Sequence, residues 1–195
     1  MADIIVAGNT SGSITISAPL VAGSGTLTLP TGTDTLIGKA TTDTLTNKTL
    51  GAGTVFPAGA VLQVVSSTYG TQVTLGAVTL TDTGLTASIT PKFSTSKILV
   101  IVSQNGVGQA GASNINLTLK LLRNSTSLIN FENTIAFTGG ATNLRCASST
   151  NYLDSPATTS ATTYKTQFAN NAGTGSAYVQ AGSETSTITL MEIAV

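Results

Sequence analysis

Polar and apolar residues alternate with a period of two along most of this chain, and the quality of the alternation changes part-way. The early pieces are short: "GSITISAPL" puts Ile14 and Ile16 on one face, "GTLTLP" does the same with Leu27 and Leu29, and "DTLIGK" and "DTLTNKTL" follow in similar style without a strict repeat. After the glycine- and proline-marked "GAGTVFPAGA", the strand-like stretches become longer and denser: "VLQVVSS", "TQVTLGAVTL", "GLTASITP", "KILVIVSQ", "NINLTLKLL", "SLINFEN", "TNLRCAS", "TNYLDS", "TTYKTQF", "SAYVQAG" and "STITLMEIAV". No segment sustains a helical period. Period-two runs at short, regular spacing predict about ten strands folded as a β-sandwich or jelly roll.

The change of style divides the chain near residue 55, into a region 1–55 and a domain 56–195 with its own core. From Gly38 to Thr49 the only large apolar side chain is Leu45. Ordering each residue costs on the order of 1–2 kcal/mol, and burying one Leu returns roughly 1.5–3. Local burial therefore cannot hold that segment in one conformation. It is either disordered, packed on the second domain, or covered by identical copies from neighbouring chains. Neutral, β-branched alternation argues for the last, a thin stalk of intertwined chains in which each covers its partners' edges.

Composition narrows the chemistry. The chain has 195 residues, 41% hydrophobic and only 8% charged, with no net charge. No basic stripe offers itself to nucleic acid or a membrane surface. Mean hydropathy is +0.30, yet the longest strongly apolar run is Ile98 to Val102, far short of the roughly 20 residues of a spanning helix. The N-terminus shows neither a basic n-region nor an h-region, so synthesis without a secretory leader is expected. Histidine is absent and Cys146 is the only cysteine. That removes Ser-His-Asp and Cys-His arrangements and ordinary zinc sites, and leaves Cys146 as a buried, inert thiol. The acids stand singly, with no calcium loop, and are expected at turns and strand ends. Neither catalysis, nor a metal, nor a cofactor is expected.

One stretch imitates a nucleotide motif. "GVGQAG", Gly106 to Gly111, satisfies G-x-G-x-x-G after a strand-like segment. A dinucleotide site needs a helix next, and here Ile115, Leu117, Leu119 and Leu121 continue with period two. The reading is a glycine-rich loop between two antiparallel strands. The N-x-Ser/Thr matches at Asn9, Asn47, Asn116 and Asn124 are expected by chance in so Ser/Thr-rich a chain.

"GSITISAPLVAGSGTLTLP" and "TTDTLTNKTL" resemble segments that recur in the stalks and attachment regions of tailed-bacteriophage fibre proteins. "SKILVIVSQNG", "YLDSPATTSATTYKTQF" and "STITLMEI" resemble a C-terminal β-sandwich domain of phage fibres and related virion proteins, many from marine or cyanobacterial phages. The resemblance implies an all-β homotrimer on the virion: a short N-terminal intertwined β stalk or anchor docked on tail, baseplate or capsid proteins, then a jelly-roll-like β-sandwich projecting outward. With about fifty residues ahead of the globular part, the stalk is expected to be short, at ~3.3–3.6 Å per residue. Tail fibre, fibre tip and head fibre or capsid decoration protein all fit.

Two roles follow from the resemblance. As an adhesin, the protein presents loops to a host-surface glycan or protein. The candidates lie in "SQNGVGQAGASN", "FTGGATN" and "FANNAGTGS": Gln109, Asn114, Asn170 and Asn171 to hydrogen-bond sugar hydroxyls, with Tyr152 as a stacking surface. Tyr164 and Tyr178 fall inside strand patterns and are expected in the core or an interface. As pure architecture, the protein decorates or connects, and the apolar Ile4, Ile5 and Val6 fill grooves between other virion subunits, or else form the first strand of the stalk. A depolymerising enzyme is disfavoured, because neither a long β-helix nor clustered carboxylates are in view.

Overall fold

The structure, a computed structural model, describes residues 4–7, 11–16, 54–111, 114–140 and 142–195. The chain divides into one unit ending at Gly51 and a second beginning at Ala52. In the first, β1 (Ile4–Ala7) and β2 (Ser13–Ile16) form an antiparallel hairpin in which Ile4 is opposite Ile16 and Val6 opposite Ile14. The proposed anchor residues Ile4, Ile5 and Val6 all lie on β1. The polar segment from Gly38 to Thr49 lies outside the described residues.

The second unit carries ten strands, β3 (Val61–Tyr69), β4 (Val73–Leu75), β5 (Thr81–Ile89), β6 (Lys97–Ala110), β7 (Leu117–Arg123), β8 (Thr126–Ile135), β9 (Leu144–Asp154), β10 (Thr162–Asn170), β11 (Ser176–Val179) and β12 (Ser186–Ile193). They form two antiparallel sheets. One is four-stranded, in the order β5-β10-β7-β8. The other is six-stranded, in the order β3-β12-β6-β11-β4, with β9 on the free side of β6. β12 and β11 follow one another along the same side of β6, and β9 pairs with the whole length of the other.

Alternation decides what is buried. In β12, Ile188 and Leu190 are fully buried while Thr187, Thr189 and Met191 between them are only partly covered. Both sheets contribute inward residues to a shared core, as in a β-sandwich. Leu85 and Ile89 of β5, Leu121 and Tyr164 meet Ile98, Val100, Val102, Ile188 and Leu190 in a cluster at the end near Lys97. Val107, Leu117, Leu119, Phe168, Ala177 and Val179 form a second cluster towards the other end. Between them lies a wholly buried polar layer. Gln104 Nε2 donates to Ser186 Oγ at 3.0 Å, Thr166 Oγ1 donates to Gln104 Oε1 at 2.9 Å, and Gln180 Nε2 donates to Ser186 Oγ at 3.1 Å. Gln180 Oε1 finds no partner among the described residues, while the other bonds of the layer tie β6, β10 and β12 to one register.

Three expectations are corrected. "GVGQAG" is not a loop: Gly106 to Ala110 continue β6, with the register shifting between Gln104 and Val107 around Gly106 at φ 61°. A Cβ at Gly106 would strike the backbone of Ala181, and one at Gly108 would strike the Leu144 carbonyl and the Tyr178 ring. The glycines let strands approach closely; β7, not a helix, follows. "TNLRCAS" and "TNYLDS" are one strand, β9, and "TQVTLGAVTL" contributes only Val73 to Leu75. Gly59 and Ala60 pair with the end of the sandwich: Gly59 N–H donates to Ala194 O and Ala194 N–H to Ala60 O, both at 2.9 Å.

Candidate functional site

Strand polarity gives the second unit two unlike ends. At the base, the chain arrives through Thr54 to Ala60 and leaves through Ala194 and Val195. A groove of about 320 Å³ there is lined by residues including Val55, Phe56, Phe93 and Val195. Val55 is 93% exposed and Val195 67%. The nearby β5–β6 turn is held by Glu192, whose carboxylate accepts from the backbone N–H of Lys92 at 2.7 Å and of Phe93 at 3.3 Å, and from Gln63 Nε2 at 2.6 Å. Burial acts to raise its pKa, but the neighbouring Ser96 hydroxyl, then Gln63 and the Lys92 and Phe93 N–H groups, prevail and hold it below the ordinary glutamate value.

At the opposite end, the tip, four connections converge through their described residues 76–80, 111 and 114–116, 136–140 and 142–143, and 171–175. None contains a charged residue. Asn114 N–H donates to Thr138 O at 2.8 Å and Asn171 N–H to Asn116 O at 2.9 Å. The Asn171 carboxamide donates to Asn116 Oδ1 at 2.6 Å and to Asn133 O at 2.7 Å, and accepts from Thr118 Oγ1 at 3.0 Å. These bonds stitch three of the four connections together.

The proposed receptor-loop residues separate in this geometry. Gln109 is fully buried in β6, its Nε2 donating to Thr138 Oγ1 at 2.8 Å and Thr142 O at 2.6 Å. Asn170 is equally buried, donating to Thr174 O at 2.9 Å and accepting from Ala172 N–H at 3.0 Å. Both build the tip from beneath, and neither lies on the surface. Tyr152 sits on the inward side of β9, half-buried against the first core cluster, and is not a loop residue. Asn114 and Asn171 are exposed at the tip. Asn114, at φ 60°, makes no side-chain hydrogen bond among the described residues. Sequence reasoning passed over Phe137, 55% exposed in the same loop cluster; an aromatic beside Gly139 and Gly140 was the available signal.

The other polar groups have structural partners. Tyr164 is buried and donates to Asp154 Oδ2 at 2.7 Å, while Arg123 Nη1 reaches both Asp154 oxygens at 2.9 and 2.8 Å. Burial, then the adjacent Asp154, push the Tyr164 phenol well above its ordinary range. Tyr178 is half-buried, its hydroxyl donating to Gln109 O and Leu144 O. Cys146 is partly covered rather than fully buried and donates to Val107 O at 3.4 Å. Burial, then the Glu132 charge, raise its pKa and keep it a thiol. Among the described residues no three His, Cys, Asp or Glu side chains come together to hold a metal, and no helix is long and apolar enough to cross a membrane.

No family model matches the chain, and neither does any curated protein.

Proposed function

We propose that this protein is a non-enzymatic structural component of a phage virion, a short trimeric fibre attached through its first unit and presenting the tip of the sandwich to the host surface. The observation that carries the reading is the polarity of the second unit. A groove at its base is lined by Val55, Phe56, Phe93 and Val195, and the described part of its tip is an uncharged, hydrogen-bonded array of amides, hydroxyls and one exposed aromatic ring. Such an array suits sugar hydroxyls, which are met by neutral hydrogen-bonding groups and by stacking on a ring. Phe137, Asn114 and the Thr142–Asn143 stretch are the surface this reading assigns to the ligand. The sheet orders β3-β12-β6-β9 and β5-β10-β7-β8 support a jelly-roll reading of the sandwich. The hairpin bearing Ile4, Ile5 and Val6 is the proposed virion anchor.

A second reading, capsid decoration or tail connection without receptor binding, is favoured by one fact. The Asn171 carboxamide spends its hydrogen bonds on Asn116, Asn133 and Thr118, which leaves fewer free groups for a ligand. Labelled full-length protein applied to host cells separates the two. Saturable binding that Phe137→Ala abolishes is expected of the adhesin, since multivalency amplifies weak single contacts. No binding at micromolar protein leaves the architectural reading. Release of reducing ends from host polysaccharide would overturn both.

A further inference from the structure

The two outer faces of the sandwich are unlike. That of the four-stranded sheet is polar, with Lys165 bonded to Asp82 at 2.9 Å, Gln167 bonded to the same carboxylate at 2.7 Å, and Lys120 on β7 beside them. The outer face of the six-stranded sheet carries an apolar row. Register places Val64 opposite Met191, Met191 opposite Leu99 and Leu99 opposite Leu153, an unbroken apolar row from edge strand β3 to edge strand β9. Ile101 lies one position along on β6, and the charges on this face lie away from the row: Lys97 at the base and, towards the tip, Arg145, paired with Glu184 at 3.7 Å. Val64 is 55% exposed, Leu153 50% and Ile101 42%.

Resting on the trimeric reading above, we infer that this outer face, joined to the base groove through Ile193 to Val195, is the surface on which copies of this chain meet one another. Three observations select a copy over a foreign partner. With the base groove, the exposed apolar side chains present on the order of 700 Å², above the roughly 300–600 Å² of the largest patch on a typical monomer and near the roughly 800 Å² each partner gives a stable interface. The row itself carries no charge, so identical rows meet without like-charge repulsion, whereas recognition of a different protein usually draws on charge complementarity. It also reaches both edge strands, about 14 Å apart at ~4.8 Å per strand, so each flank of the protomer is apolar, as a closed ring of copies requires.

The test uses the full-length protein with Leu153→Lys on β9 and, separately, Val64→Lys on β3, both exposed in the single chain and so neutral to its fold. Ser88→Lys on the four-stranded sheet is the control. Sedimentation velocity at micromolar concentration is expected to show a trimer for the parent and the control, and a shift towards single chains, by tenfold or more in dissociation constant, for both face variants, with unchanged circular dichroism. Face variants that keep the parent's mass overturn the inference while leaving the trimer intact. Variants that keep their mass but no longer join particles also overturn it, because the face then meets another virion protein. A parent that sediments as a single chain overturns the trimeric reading and this inference with it.

Discussion

Replacing Asp154 with Ala tests how the two sheets are clamped. Asp154 ends β9, an edge strand whose backbone pairs only with β6, and its carboxylate crosses the sandwich to Arg123 of β7 and Tyr164 of β10. The carboxylate is 5% exposed and the tyrosine fully buried. Removing it leaves a buried phenolic hydroxyl unpaired, about 1–3 kcal/mol. It also strands a guanidinium whose side chain is 27% exposed, so the roughly 3–5 kcal/mol of a broken buried pair is reduced by what water recovers. The expected loss is about 3 kcal/mol. Tyr164→Phe, which removes only the hydroxyl, is expected to cost about 1 kcal/mol. Urea denaturation at fixed protein concentration, run on both single variants and the double, measures the coupling. A loss below about 0.5 kcal/mol for Asp154→Ala, or strictly additive singles, refutes the clamp.

Gly106→Ala is expected to destabilise by about 1–3 kcal/mol, since the new methyl meets the Ala181 backbone at a positive φ, whereas Gly140→Ala, with nothing within 4 Å, stays within about 0.5. Equal melting temperatures for the two would contradict the close-approach account of the glycine run. Stability is expected to fall with acidification: Glu192 has a folded pKa below its ordinary 4.5, so its contribution is present above that pH and is lost as pH drops through the folded value. Thermal melts from pH 6 to pH 3 should show Glu192→Gln with a shallower decline than the parent, and an identical slope would remove Glu192 from the explanation.

The sandwich was legible wherever alternation was clean. β5, β6, β7, β10 and β12 bury every second residue across their apolar runs, and Tyr164 sits in the core as its strand pattern required. The failures share a cause: partners remote in sequence. Glycine and glutamine in "GVGQAG" read as loop because nothing local shows that Ala181 and Tyr178 press against that strand, or that Gln109 finds Thr138 and Thr142. Asp154 stood at a strand end as an isolated acid. Its partners Arg123 and Tyr164 come from other strands, and only the crossing of the sheets joins them. Of the three stretches read as loops, "SQNGVGQAGASN" is largely β6, and which residues face outward depends on strand register, which places Gln109 and Asn170 inward, as it does Tyr152 on β9.

The central claim is that the first unit lacks the apolar surface to order itself and takes it from sister chains. Native mass spectrometry of the full chain, diluted to submicromolar concentration, tests it directly. The expected result is the mass of three chains, persisting on dilution. A single chain whose amides before Gly51 are protected from hydrogen exchange would contradict it.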